Sequence, residues 1–265
     1  MIALIDIDSL LYLASYKLNE PEFIEKCGLQ HQDDEIILPI LAEIAIDRCN
    51  EMLMSILMDI ESDENNINIT GYEVYLTFCK NSIRKKINSD YKNNRIKNDI
   101  VDLMRSLYIF KNEAIYDDEF EADDLIADRA RELRSKGENC VIVTMDKDLN
   151  QIGGLIYNYY KKPSKYDENG KLIQSFDRKG LSFVGDFEAI KFLATQMLMG
   201  DSSDNIMAIK GIGIKTAEKI LQSAQTAKQL FFKVVRLYIK HFKEDYIKKL
   251  KENYRLLYLG KQTNL

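Results

Sequence analysis

The sequence is poor in the residues that build several common kinds of site. Among its 265 residues are 2 histidines, 4 cysteines, 3 prolines and no tryptophan. Cys27, Cys49, Cys79 and Cys140 stand far apart without a C-x-x-C pair, and only His31 and His241 could join them, so neither a structural zinc nor a disulfide framework is expected. The same scarcity of histidine argues against Ser-His-Asp and Cys-His catalysis. No apolar run approaches the roughly 20 residues of a membrane span, and the opening MIALIDIDSLLYLASY carries acids where a signal peptide has a basic start. The chain therefore reads as cytoplasmic, with no membrane partner. With 46% apolar and 30% charged residues it has the composition of a folded protein, one large domain or a main domain with an appendix.

Charge is plentiful but unevenly placed. Residues 80–111 hold nine basic and three acidic residues, and residues 228–255 repeat those counts. Each segment nets +6, which leaves −17 for the remainder of a chain whose total is −5. Two basic segments on an acidic body suit local binding of a polyanion. Solvated helix faces account for the same charges equally well.

The pattern along the chain is that of an α/β protein. IALIDI reads as a buried strand ending at Asp6 and Asp8, and YEVYLTF, CVIVTM and GLIYNYY read as further strands. Helical spacing covers 36–60, the region of IVDLMRSLYIF, and Phe120 to Gly137, where the glycine is a plausible C-cap. A polar turn is expected at Glu64–Gly71, and from Asp186 onward the pattern is entirely helical. Strands separated by helices predict a largely parallel sheet flanked by helices, with ligands outside its carboxyl ends.

Acids gather at those ends. Asp6 closes the first strand, Glu121, Asp123 and Asp124 open a helix in EFEADDL, Asp146 and Asp148 come just after the third strand, and Asp201 and Asp204 stand in MGDSSDN. A single such group is an ordinary helix N-terminus. Four groups at corresponding ends of one sheet repel one another unless a cation neutralises them, and oxygen-only ligands select Mg2+ or Mn2+. Two such ions can stabilise both oxygens of an in-line phosphoryl displacement. In IKGIGIKTAEKIL, Gly211 and Gly213 allow a tight turn at a helix N-terminus, a cradle for a backbone phosphate beside Lys210, Lys215 and Lys219. A glycine turn between packed helices is the alternative.

The stretches LIDIDSL, IRKKINSDYKNNR, EADDLIA, VTMDKDLNQI and LMGDSSDNIMAIKGIGIKTAEKIL together resemble the 5′-nucleases, the flap endonucleases of phages and the 5′-nuclease domain of bacterial DNA polymerase I. The resemblance covers roughly residues 1–222. It implies a nuclease core over 1–185 with a helical arch at about 80–111, and a DNA-binding helix-hairpin-helix region over 186–265. It also implies metal-dependent cleavage at 5′ flaps and 5′ ends, a K+ ion held by the hairpin, a monomer, and partners among DNA (flap, duplex and single-stranded 5′ ends) and replication proteins.

Carried over by position, the eight acids above resemble the family's metal-site carboxylates, Lys92 and Arg95 resemble its arch-base cations, and Arg84 matches a basic position upstream. Two positions depart. Thr77 stands where the family has an aspartate at the end of the second strand, and Leu13 where it commonly has an arginine. Asp8 would lie on the same side as Asp6 in an extended strand and could compensate as a ligand, or it could cap the helix beginning near Leu10. The impaired ligand set keeps a second function open: a structure-specific DNA-binding protein on the same fold with weak or absent catalysis.

Overall fold

The short apolar run Ile2–Asp6 (β1) is the centre of the protein. Its neighbours in a computed structural model, which describes residues 1–61, 67–160, 165–166, 172–174 and 180–261, are two other runs of the same kind. Gly71–Tyr75 (β2) and Cys140–Val143 (β3) lie on either side of it, both parallel, and Gly154–Asn158 (β4) continues the parallel sheet beyond β3. In register, Asp6 faces Tyr75 and Ile5 faces Val143, so the strands end together and present the residues just beyond them at one edge of the sheet.

Alternation along β1 divides the core. Ala3 and Ile5 face one side with Val141 and Val143, packed beneath Asp8–Ala14 (α1) and Asp34–Glu61 (α3). Leu4 and Ile142 face the other, packed against Ala122–Ser135 (α6). The central strands β1 and β3 are thus buried on both faces, as parallel strands between helices must be. The helix Pro21–Lys26 (α2) precedes α3. Helix α6 ends where expected, with Gly137 in the left-handed region at φ +75° just beyond it.

Three sequence expectations are corrected. The region 80–111 contains only the short helix Ile83–Ile87 (α4) and then Asp99–Phe110 (α5). The apolar face of α5 buries Ile100, Val101, Met104 and Tyr108 in the same core cluster as α3, so α5 belongs to that core and only residues 80–98 lie outside the cluster. Gly180–Val184, here β7, pairs antiparallel with β4 at the sheet edge, a strand the sequence pattern does not reveal; the pairs Lys165–Tyr166 (β5) and Leu172–Gln174 (β6) precede it. Residues 186–261 are mainly helical, but a hairpin of Gly200–Asp201 (β8) and Ile206–Met207 (β9) interrupts them. The polar turn expected at Glu64–Gly71 falls partly outside the described residues.

The helices Asp186–Met199 (α7), Ile214–Leu221 (α8), Ala227–Phe242 (α9) and Tyr246–Leu257 (α10) bury their own apolar cluster, built on Leu193, Met197, Leu230, Val234 and Tyr238. Among the described residues no helix is long and apolar enough to cross a membrane.

Candidate active site

Each acid group is delivered by a different element. Asp6 is the last residue of β1, 8% exposed, and its Oδ2 accepts a 2.8 Å bond from the hydroxyl of Thr144, just beyond β3. Thr144 accepts in turn from the Asp146 amide, so one side chain ties the ends of two strands together. Asp146 then caps the short 3-10 helix Lys147–Ile152, accepting from the Asp148 amide at 2.9 Å. Asp148 receives a 3.0 Å bond from the buried Gln196 of α7. Asp201, in the β8–β9 hairpin, accepts from the Ser203 amide and hydroxyl through one oxygen, leaving Oδ2 without a hydrogen-bond partner among the described residues.

Burial and mutual repulsion set the electrostatics. Burial, then the nearby charge of Asp8, with Asp146 adding, raises the Asp6 carboxyl to about 7. Burial, followed by Asp146 and Asp201, raises Asp148 to about 7 as well. Asp123 is held well above its usual range by burial and by Asp124. Burial is the largest cause at all three, and a neighbouring carboxylate adds to it in each case.

Part of that charge is balanced, and by the predicted residues. Lys92 sits at φ +55° in the left-handed region, where its amide bonds the Asp204 carbonyl at 3.2 Å. Its ammonium lies 2.7 Å from Glu121 Oε2 and 3.7 Å from Asp204 Oδ2. Burial would depress that ammonium, but Glu121, Asp123 and Asp204 outweigh it and hold it above its usual value. Burial would likewise raise Glu121, yet Lys92 and Arg84 hold it down at about 2. Arg95 bonds the other Asp204 oxygen at 2.8 Å and remains half exposed.

Arg84 and Asp124 are placed differently from the roles the resemblance gives them. Arg84 is 5% exposed. Its guanidinium grips both oxygens of Asp124 (2.5 and 2.7 Å), reaches Glu121 at 3.2 Å, and bonds the carbonyls of Leu256 and Tyr258, so its donors are engaged within the protein. Asp124 also accepts from the amides of Glu121 and Gly260. Four N–H donors thus occupy the acceptor sites of that carboxylate.

Asp8 is neither a cap nor a free ligand. It is the first residue of α1, whose N-cap is Ile7. Its Oδ1 is held by Arg105 of α5 through two nitrogens at 2.8 and 3.0 Å, and its Oδ2 accepts from the Thr77 amide. Arg105 is 97 residues away along the chain. Thr77 itself bridges elements, its hydroxyl accepting from the Ala122 amide at the start of α6.

Sequence reasoning missed four side chains here. Tyr91 is 2% exposed, its hydroxyl 2.9 Å from Glu121 Oε2 and 3.1 Å from Asp204 Oδ2. Its place beside Lys92 in the motif was the available signal. Thr144, inside VTMDKD, was equally visible. Gln196 and Arg105 carry no local signal, because only the fold brings them to the acids.

Among the described residues no three acid, histidine or cysteine side chains converge closely enough to cage a metal as they stand. The donor set nonetheless fits a hard cation: oxygen only, partly unpaired, and electrostatically strained where Asp6, Asp123 and Asp148 lie. On the next face, a groove of about 660 Å³ runs from Lys147 and Asp201 to Lys215 and Lys219. Gly211 takes φ +86°, and Gly213 is the extended N-cap of α8 with open space around it. Lys210, Lys215 and Lys219 are exposed around that turn.

This arrangement has relatives. Residues 1–176 match the 5′-3′ exonuclease N-terminal, resolvase-like domain, and the chain belongs to that family. It is 29% identical over 180 residues to DNA polymerase I of Rhizobium leguminosarum, a match covering 66% of this chain but 17% of the polymerase. It is also 29% identical over 187 residues to a 5′-3′ exonuclease of Buchnera aphidicola subsp. Schizaphis graminum, covering 65% of this chain and 60% of that one. The fold matches phage T5 5′-exonuclease with zinc bound (TM-score 0.52, 12% identity, 97% of this chain and 99% of that one). It matches equally the T5 flap endonuclease in a complex with DNA and metal ions (TM-score 0.51, 14% identity, 97% and 98%).

Proposed function

We propose that the protein is a divalent-metal-dependent 5′-nuclease that hydrolyses DNA phosphodiesters at 5′ flaps and 5′ ends in replication or repair. The observation that carries this is the excess of buried carboxylate at the carboxyl edge of the sheet, in a chain of this family. Asp6, Glu121, Asp123 and Asp146 would hold an ion on one side, and Asp148, Asp201 and Asp204 on the other. Mg2+ or Mn2+ bound there would polarise the phosphodiester and supply hydroxide from water at neutral pH.

The chain's own residues do the rest. Lys92 and Arg95 stand at the rim of the acids, where an ammonium and a guanidinium can meet a phosphate once ions have taken over the neutralisation of Glu121 and Asp204. Gln196 fixes the rotamer of Asp148, and Thr144 that of Asp6, so that both point into the cluster. The turn at Gly211 and Gly213, with a K+ ion at its carbonyls, would grip the duplex through its backbone, leaving the acids to act on the single-stranded side. In this division residues 1–185 carry the chemistry and 186–265 the duplex.

A second function has its own support: with Thr77 in place of a carboxylate and Asp8 and Asp124 already neutralised, the ligand set is short, and a DNA-binding protein with weak catalysis would look the same. Incubation with a 5′-flap duplex, with and without Mg2+, separates them. The nuclease cuts near the flap junction only with Mg2+, and Asp146→Ala slows cutting by at least ~10²-fold. Tight flap binding without cleavage at any Mg2+ or Mn2+ concentration would instead establish the binder.

A further inference from the structure

The last described residues close back onto the acids. Beyond α10, residues 256–261 run across the start of α6, and their backbone is bonded at almost every step. Leu256 and Tyr258 give their carbonyls to Arg84, and Leu259 gives its carbonyl to Arg131 at 2.9 Å. The Gly260 amide donates to Asp124 Oδ1 at 2.9 Å and the Lys261 amide to Asp128 at 2.9 Å. Leu259 is 4% exposed, packed in the cluster that lines the inner face of α6.

Resting on the proposed metal centre, we infer that this C-terminal strap is part of the support of that centre, and that Asp124 is a positioning residue in it, the internal counter-ion of Arg84 and Gly260, rather than a metal ligand. The four donors on Asp124 come from three places in the chain, so it fixes the α6 N-terminus, Arg84 and the strap to one another. Glu121 and Asp123, three residues and one residue before it on the same turn, inherit their position from that lock. Because the carboxylate that does this is full, ions are left to its neighbours. The backbone favours Gly260: at φ +127° an L side chain is strained, and an added Cβ would also push aside Arg131 Nη1 and Asp128 Oδ1, the side-chain ends that bond the neighbouring strap residues.

The test uses the full chain and Mn2+ as the probe, counted and titrated by electron paramagnetic resonance, with cleavage of a flap duplex read in parallel. Gly260→Val should weaken Mn2+ binding and raise the half-saturating Mg2+ concentration about 10-fold, the size expected when an outer support of a metal site is lost, with excess Mg2+ restoring kcat and KM for DNA unchanged. Should that variant not fold, Arg131→Met, which releases the Leu259 carbonyl together with the Asp128 ion pair and the guanidinium over Tyr258 but leaves the Gly260 amide on Asp124, should show the same effect more weakly. Asp124→Asn should keep the wild-type number of bound Mn2+ ions, whereas Asp123→Asn should lose one. Wild-type Mn2+ affinity in whichever strap variant folds, or an ion lost from Asp124→Asn, overturns the inference. Wild type that binds no Mn2+ at all defeats instead the metal centre on which it rests.

Discussion

At position 77 a threonine joins two elements: its amide serves Asp8 and its hydroxyl oxygen takes the Ala122 N–H. A neutral oxygen adds no charge to hold a divalent ion. Thr77→Asp should therefore lower the Mg2+ concentration for half-maximal cleavage, and should also destabilise the metal-free protein by crowding Glu121 and Asp123 with another carboxylate. Identical metal dependence of cleavage and thermal unfolding in both proteins would put Thr77 outside the ion's surroundings. Lys92 makes a sharper case, since its ammonium already sits 2.7 Å from Glu121. Lys92→Ala should lower the single-turnover rate at saturating enzyme by ~10²-fold or more, because charge at the scissile phosphate matters most in the transition state. An unchanged rate with uniformly weaker binding would reduce Lys92 to a positioning contact.

At the scale of elements, the two glycines of the turn before α8 have different jobs. Gly211 needs its left-handed φ, whereas Gly213 is extended at φ −96°, which any residue adopts, and nothing lies within 4 Å of an added Cβ. Gly213→Val should leave the melting temperature nearly unchanged while weakening duplex affinity severalfold at fixed salt, through lost approach of backbone to phosphate. Gly211→Val should instead destabilise the fold by about 1–2 kcal/mol. Equal duplex affinity of Gly213→Val and wild type removes this turn from the duplex site. Legibility in the sequence also divides by element. The β-branched runs of β1 and β3 and the carboxylates just beyond them were legible because strand, turn and acid are local features. Helix α5 was legible as a helix but not as core, since the resemblance placed it in an arch and only its buried Ile100, Val101 and Met104 show which face decides. The Arg105–Asp8 pair, Gln196 on Asp148 and the strap on Asp124 join residues 97, 48 and 136 apart, and no local pattern encodes them. Strand β7, short and half exposed, lacks the apolar run that reveals a buried strand.

Over the whole molecule, the acids couple stability to pH and to metal. Asp6 and Asp148 bind protons more tightly folded than unfolded, from the usual 3.8 up to about 7. Between roughly pH 4 and 7 the folded state therefore holds protons that the unfolded state has released, and stability falls as pH rises through that window. Each group taken alone contributes up to about 4 kcal/mol of loss by pH 7, at 1.36 kcal/mol per unit. Glu121 works in the opposite direction: held down at about 2, its ion pairs stabilise the protein above its ordinary 4.5, and that stability is lost as pH falls from 4.5 toward 2. The two slopes place the stability maximum of the metal-free protein near pH 4 to 5, on the acid side of neutrality. Mg2+ that binds only the folded, ionised cluster removes the repulsion and competes with the protons, so it should stabilise most at pH 7 and above and hardly at all below pH 5. Thermal unfolding across pH 3 to 9 in chelator and in Mg2+ reads both effects at once. The expected result is a metal-free melting temperature that declines above pH 5 and a Mg2+ curve that stays level or rises. Parallel curves, offset equally at every pH, would mean that the ion stabilises the protein without engaging Asp6 or Asp148, and the metal centre would have to be sought elsewhere on the surface.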